Sequence, residues 1–439
     1  MRQLLLRGTL LLTIAGILSR IMGFFYKIFL ANTIGAEGLG IYQMIFPIYS
    51  VCFSLCASGI ETATSKLVAA KYALKKEQDA FGILKTALFL TITLALCCSF
   101  FIYQYASPIS EIFLKEPRCA VLLKILAITI PFGTIQSCIC GYYFGIHKAA
   151  VPAIAQLTEQ IFRIGAVFLL HQIYLTNGVE LSPALAVIGL VFGEFFCLLF
   201  TITCFSFQPA KKYHFKRSDF YSYIKEILSL SLPLTTSRIC VNLLASLEAT
   251  LIPNALKSYG LNASSALSIY GVLTGMALPF ILFPNALTGS ISLMLLPAVS
   301  ESQSKGQFQT LKQTIQKSFL FCILLGVFCL LFFLLFGKHL GTLFFSNELA
   351  GNFITVLAGL CPFLYLNTTL NSVLNGLGKT SVTFFCGILG LFIRIGFIFF
   401  AVPRIGIHGY LYGLLVSQLF VTFLGGYFIS RTLKISCKT

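Results

Sequence analysis

Twelve apolar runs, most of them about twenty residues long or slightly longer, limit what this chain can become more than any other feature of its sequence. They fall at 10–32, 41–65, 83–104, 119–145, 150–172, 184–207, 227–251, 267–296, 316–336, 353–376, 381–401 and 409–430, each bounded by charge or by Gly, Pro and Asn clusters. A helix rises about 1.5 Å per residue, so about twenty apolar residues cross the roughly 30 Å of hydrocarbon in a bilayer. Within that layer a helix satisfies its own backbone hydrogen bonds, where no water would. Only 10% of the residues are charged and 57% are hydrophobic, whereas a soluble domain carries about 25% charged residues. The expected fold is an all-α integral membrane protein with twelve transmembrane helices. The first run follows Arg2 and Arg7 as a signal peptide would, but it continues into Arg20 and Lys27 and reads as a retained first helix.

With an even number of spans, both termini lie on one side. The loops and termini of that side hold twenty Lys and Arg residues, against five on the other, which predicts cytoplasmic N- and C-termini. The net charge of +17 is spread over short loops and forms no basic face, so nucleic acid is excluded as a partner. The basic loops 66–85 and 208–225 are expected to lie against anionic membrane lipids. No loop exceeds roughly twenty residues, and no nucleophile, base and orienting group fall together, so the chain does not read as an enzyme. The fifteen Cys and five His residues show no metal-ligand spacing, and no cofactor motif is present. Gly378-Lys379-Thr380 ends like a phosphate loop, but Val373 stands where its first glycine belongs.

The two halves share a pattern. Ser19-Arg20-Ile21 recurs as Ser237-Arg238-Ile239, and Ile41-Tyr42 as Ile269-Tyr270. Gly145, Lys148 and Arg163-Ile164-Gly165 recur, each 231 residues later, as Gly376, Lys379 and Arg394-Ile395-Gly396. The order and near-constant offset predict a six-helix lobe over 1–210 and a second over 211–439. An even number of helices per half gives both lobes the same orientation, related by a pseudo-two-fold axis along the membrane normal, as in transporters that rock two lobes.

Charges inside the spans require a partner or a cavity. Arg20 and Lys27 are seven residues apart and share a face of the first helix. Arg238 holds the repeat-equivalent place in the seventh. These three are the candidate substrate-binding residues, suited to a phosphate or diphosphate that Arg grips through paired hydrogen bonds. Glu61, Glu159, Arg163, Glu248 and Arg394 are candidate coupling or cavity charges. Glu159 and Arg163, four apart, also fit a plain intrahelical pair, and Lys124 and Glu194 fit side chains that snorkel from helix ends. Gly141/Gly145, Gly189/Gly193, Gly271/Gly275 and Gly409/Gly413 have the spacing of close helix contacts.

Leu18-Ser19-Arg20-Ile21-Met22-Gly23-Phe24, followed by Gly35-Ala36-Glu37-Gly38-Leu39-Gly40-Ile41-Tyr42-Gln43, resembles the opening of the stage V sporulation protein B and polysaccharide-export branch of the multidrug/oligosaccharidyl-lipid/polysaccharide flippase superfamily. Ser58-Gly59, Ser65-Lys66-Leu67-Val68-Ala69, Glu159-Gln160 with Arg163, and Pro233 also fit that branch, to which lipid II flippases are related. The resemblance implies a flippase of the bacterial cytoplasmic membrane. Such a protein moves an undecaprenyl-diphosphate-linked oligosaccharide or peptidoglycan precursor by alternating access, with cell-wall synthesis proteins as candidate partners. It carries a substrate-contacting role over to Arg20; Lys27 falls where lipid II flippases have a charged pair. Twelve spans instead of the fourteen usual in the sporulation branch, and Glu61 where that branch has proline, are departures. Glu61 then either couples transport to a cation or pairs with a nearby Lys or Arg. The alternative reading is a multidrug exporter of the same fold, coupled to sodium ions or protons.

Overall fold

The computed structural model describes residues 2–178, 181–207 and 217–436, and these form helices and short turns with no strand among them. Eleven of the helices are long and apolar enough to span a bilayer. The first of the eleven, Leu10–Ala73, has 64 residues, roughly 96 Å at 1.5 Å per residue, and supplies two crossings. Twelve crossings result, as the apolar runs predict.

Gly35 separates the first two crossings. Its φ of 70° and ψ of 178° break the helical path of α1 (Arg2–Phe53), a conformation that a residue without Cβ adopts at little cost. Beyond Pro47, α1 gives way to one π-helical turn at Ser54–Ser58 and resumes as α2 (Gly59–Ala73). The next spans are α3 (Glu77–Gln104), α4 (Cys119–Gly145), α5 (Ala150–Thr176), α6 (Ala184–Ser206) and α7 (Arg217–Ser258).

The eighth span is more broken than the continuous run at 267–296 predicts. It consists of α8 (Ala263–Gly271), a π turn at Val272–Ala277, α9 (Leu278–Leu282), and a fresh helix α10 (Asn285–Ser304) capped by Pro284. Proline disfavours helical geometry in the residue before it and has no N–H to give, so the helix stops at Phe283. The chain ends with α11 (Phe308–Phe345), α12 (Glu348–Leu357), α13 (Cys361–Gly376), α14 (Thr380–Phe400) and α15 (Ile407–Ser436).

Packing divides the chain into two compact units. One comprises residues 1–26 and 41–246, the other 27–40 and 247–439. The expected division at 210/211 falls among residues 208–216, which lie outside the described residues, as do Lys211, Lys212 and Lys216 of the second basic loop. In the first unit the core gathers Ile60, Val68, Ile83, Leu84, Tyr143 and Ile227. In the second it gathers Leu295, Val299, Leu311, Val373, Leu374 and Ile429.

Each unit repeats one packing scheme. In the first, α2 packs on α3 and α4, α3 on α4, α4 on α6, and α5 on α6. In the second, α10 packs on α11 and α13, α11 on α13, α13 on α15, and α14 on α15. The correspondence reaches single atoms. A Cβ on Gly145 would lie 2.7 Å from Val68 and 2.9 Å from the Ser65 carbonyl oxygen, and one on Gly376 would lie 2.9 Å from both Val299 and the Leu296 carbonyl oxygen. All three pairs, Gly145 and Gly376, Ser65 and Leu296, Val68 and Val299, are separated by the same 231 residues.

The other close-contact glycines behave alike. Gly141 lies against Glu61, Gly189 and Gly193 against the Glu159–Val167 stretch of α5, and Gly409 and Gly413 against α14. Within the second unit, Gly271 and Gly275 meet Ala36, Leu39 and Gly40, and the Ser264 hydroxyl donates to Glu37 Oε2 at 2.5 Å.

Candidate functional site

Each unit buries an arginine of the repeated Arg-Ile-Gly triplet beside a carboxylate. In the first, Arg163 of α5 pairs with Glu159 one turn earlier, so the intrahelical pairing that the spacing allowed is formed. A second carboxylate joins them. Glu194 lies in the middle of α6 and is 7% exposed, not at a helix end as the snorkelling expectation had it. It accepts a hydrogen bond from the Tyr49 hydroxyl at 3.2 Å. Gly133 of α4 makes room for both, since a Cβ there would come within 2.8 Å of the Tyr49 oxygen and 3.0 Å of Glu194.

Tyr26 and Tyr42 lie within electrostatic reach of the Arg163 guanidinium. The Arg163 Nε and Gln160 Oε1 atoms are buried without a hydrogen-bond partner among the described residues. Two carboxylates against one guanidinium leave this cluster one negative charge in excess when all three are ionised. Burial makes such an excess costly unless a cation or proton offsets it.

In the second unit Arg394 Nη1 lies 3.3 Å from Glu248 Oε1, which also accepts a hydrogen bond from the Tyr410 hydroxyl at 2.8 Å. Tyr270, the repeat equivalent of Tyr42, is within electrostatic reach of Glu248. The arginine is kept between the repeats but its counter-charge has moved. The position 231 residues after Glu159 is Gly390, and the position 218 before Glu248 is Leu30. This cluster is balanced, one acid to one base.

The candidate substrate cations are placed differently. Arg20 is exposed and has no ion-pair partner among the described residues, and Lys27 is half-buried. Arg238 is exposed, and its Nη1 donates to the Ser58 carbonyl at 2.7 Å. Four residues on, Asn242 Nδ2 donates to the Ser50 carbonyl at 3.1 Å and to the Ser54 hydroxyl at 2.6 Å. Both side chains thus hold α7 on the π turn of the second span, where a widened helix presents carbonyls that a regular α-helix would keep to itself. Glu61, one turn beyond Ser58, accepts a hydrogen bond from the Ser137 hydroxyl at 2.5 Å and is within electrostatic reach of Arg238.

Asn242, Tyr49 and Tyr410 were not singled out in the sequence. Their partners come from other spans, and a neutral polar side chain in an apolar run carries little signal by itself. Among the described residues, no group of three or more His, Cys, Asp or Glu side chains is placed to hold a metal ion.

The family model for polysaccharide biosynthesis proteins matches residues 5–303, and the MatE model matches residues 253–400. Stage V sporulation protein B of Bacillus subtilis is 30% identical over 448 aligned residues, covering 100% of this chain and 86% of that protein. The lipid II flippase MurJ of the same organism is 22% identical, covering 90% of this chain and 77% of its own. The fold matches that of an inward-facing multidrug resistance MATE family transporter of the MOP superfamily, with a TM-score of 0.79 at 14% identity over 96% of both chains. It also matches a MOP superfamily transporter from Pyrococcus furiosus, with a TM-score of 0.70 at 15% identity over 100% of this chain and 98% of that one. This multi-pass membrane protein therefore belongs to the polysaccharide biosynthesis protein family, within the MOP transporter superfamily, in the branch that includes stage V sporulation protein B and MurJ.

Proposed function

We propose that the chain is a flippase that carries an undecaprenyl-diphosphate-linked oligosaccharide or a lipid II type precursor across the bacterial cytoplasmic membrane, with both termini in the cytoplasm. The observation that carries this reading is the state of its cations. Arg20 lies within an apolar span, yet it is exposed and has no acid opposite it among the described residues. Arg238 spends one side of its guanidinium on Ser58 and keeps its exposure. An uncompensated guanidinium at membrane depth is costly and needs a use, and a diphosphate is the ligand its planar donor fork fits. Lys27 adds a third positive charge to the same reading.

Coupling is assigned to the first unit's cluster, where the carboxylate in excess at Glu159, Glu194 and Arg163 would be offset by an imported proton or sodium ion. Glu61 contributes an acid near Arg238, and the balanced Glu248–Arg394 pair serves structure more than coupling. Cell-wall synthesis proteins are the partners this activity would have on either side of the membrane.

The test is leaflet transfer of a fluorescent prenyl-diphosphate sugar in proteoliposomes. Arg20→Ala with Arg238→Ala should lower the transfer rate at least tenfold, with Arg20→Lys intermediate. Unchanged transfer in the double variant would remove both residues from the substrate path. Glu194→Gln should leave transfer down a substrate gradient intact while abolishing its acceleration by an imposed ion gradient. A second reading, a multidrug exporter, is favoured by the MatE match and by the buried carboxylates; efflux of a cationic dye that ignores Arg20→Ala would select it.

A further inference from the structure

Three thiols converge on the π turn of the second span. Cys52 precedes it and Cys56 lies within it, 5% and 0% exposed. From α3, which packs directly on this turn, the Cys98 thiol comes within hydrogen-bonding reach of both. Cys98 itself is half-buried, and its neighbour Cys97 is exposed. Around them the exposed Leu96, Phe100 and Phe101 face the apolar phase. A lipid-dissolved molecule can therefore reach the edge of the cluster. With no metal-holding group among the described residues, the chemistry these side chains share is thiol–disulfide chemistry.

We propose that Cys98 forms a reversible disulfide with Cys52 or Cys56, with a membrane quinone as the oxidant. Two thiols and one quinone give one disulfide and one quinol. The S–S bond forms, two S–H bonds break, and both electrons and both protons pass to the quinone oxygens. The third thiol stays beside the new bond and attacks it, so the link exchanges between Cys52 and Cys56. Either link ties α3 to the turn whose Ser58 carbonyl holds Arg238 and whose Ser54 hydroxyl holds Asn242. Oxidation thereby stiffens the seat of α7, and the transporter acquires a sensitivity to the redox state of the quinone pool that its transport chemistry does not require.

The test uses the full chain in proteoliposomes. A fully substituted benzoquinone, which thiols cannot arylate, is added; free thiols are alkylated and the protein is peptide-mapped without reduction. The expected result is the loss of two free thiols per chain and a Cys98 peptide joined to the peptide bearing Cys52 and Cys56, reversed by dithiothreitol. Cys52→Ser and Cys56→Ser should each still form the link through the remaining partner, while Cys98→Ser and Cys98→Ala should keep every thiol free. A wild-type Cys98 that stays fully alkylated would overturn the proposal. So would an equal loss of thiols in the two Cys98 variants. Because the wild-type measurement needs no variant to fold, the proposal remains open to refutation whatever the substitutions do.

Discussion

Arg163 and Arg394 occupy the same place in the two repeats, yet one is neutralised from its own helix and the other from α7. What has been kept is a buried positive charge, not a particular pair. Removing one partner of such a pair strands the other, which costs about 3–5 kcal/mol, whereas removing both is often nearly neutral. Arg394→Met is accordingly expected to lower thermal stability in detergent sharply, and Glu248→Gln with Arg394→Met to recover most of the loss. If the double variant is no more stable than the single, the pair is not what Arg394 contributes. At this scale the sequence was partly legible. The four-residue spacing of Glu159 and Arg163 announced their bond, because helical geometry alone determines it. Glu194 was misjudged, since its partner Tyr49 lies 145 residues away and only the rotation of α6 reveals that it faces inward.

Among the elements, the glycine contacts state most clearly what the fold demands. Gly145 and Gly376 each sit where a helix presses on its neighbour's backbone, so a larger residue must push two helices apart. Overpacking of that kind typically costs about 1–3 kcal/mol, and Gly145→Leu and Gly376→Leu should lose comparable stability in thermal unfolding. Gly387→Leu on α14, where no atom lies within 4 Å of the missing Cβ, serves as the control and should be close to neutral. Unequal losses at the first two sites would mean that the repeat no longer carries equivalent packing. The GxxxG spacings made these contacts readable in advance. The π turns did not show themselves, because their composition is that of ordinary apolar helix. The break at Phe283-Pro284 was marked by its proline but hidden in a run whose hydropathy continues to residue 296.

For the molecule as a whole, hydropathy was enough to give the number of crossings, and offset matches were enough to suggest a duplication. The matching neighbour scheme of the two units then gave that duplication physical content. Where one compact unit ends and the other begins was beyond the sequence, since residues 27–40 cluster with the second unit and residues 217–246 with the first. This membership has a consequence for synthesis. The ribosome completes six spans before residue 210, but the first unit still lacks the piece that carries Arg238 and Asn242 and that seats on Ser50, Ser54 and Ser58. It must wait in the bilayer, unfinished, until translation has passed residue 246. Fragments severed at 210 and produced alone would each carry a strip of helix that belongs to the other, so neither should resist protease until the two are made in the same membrane.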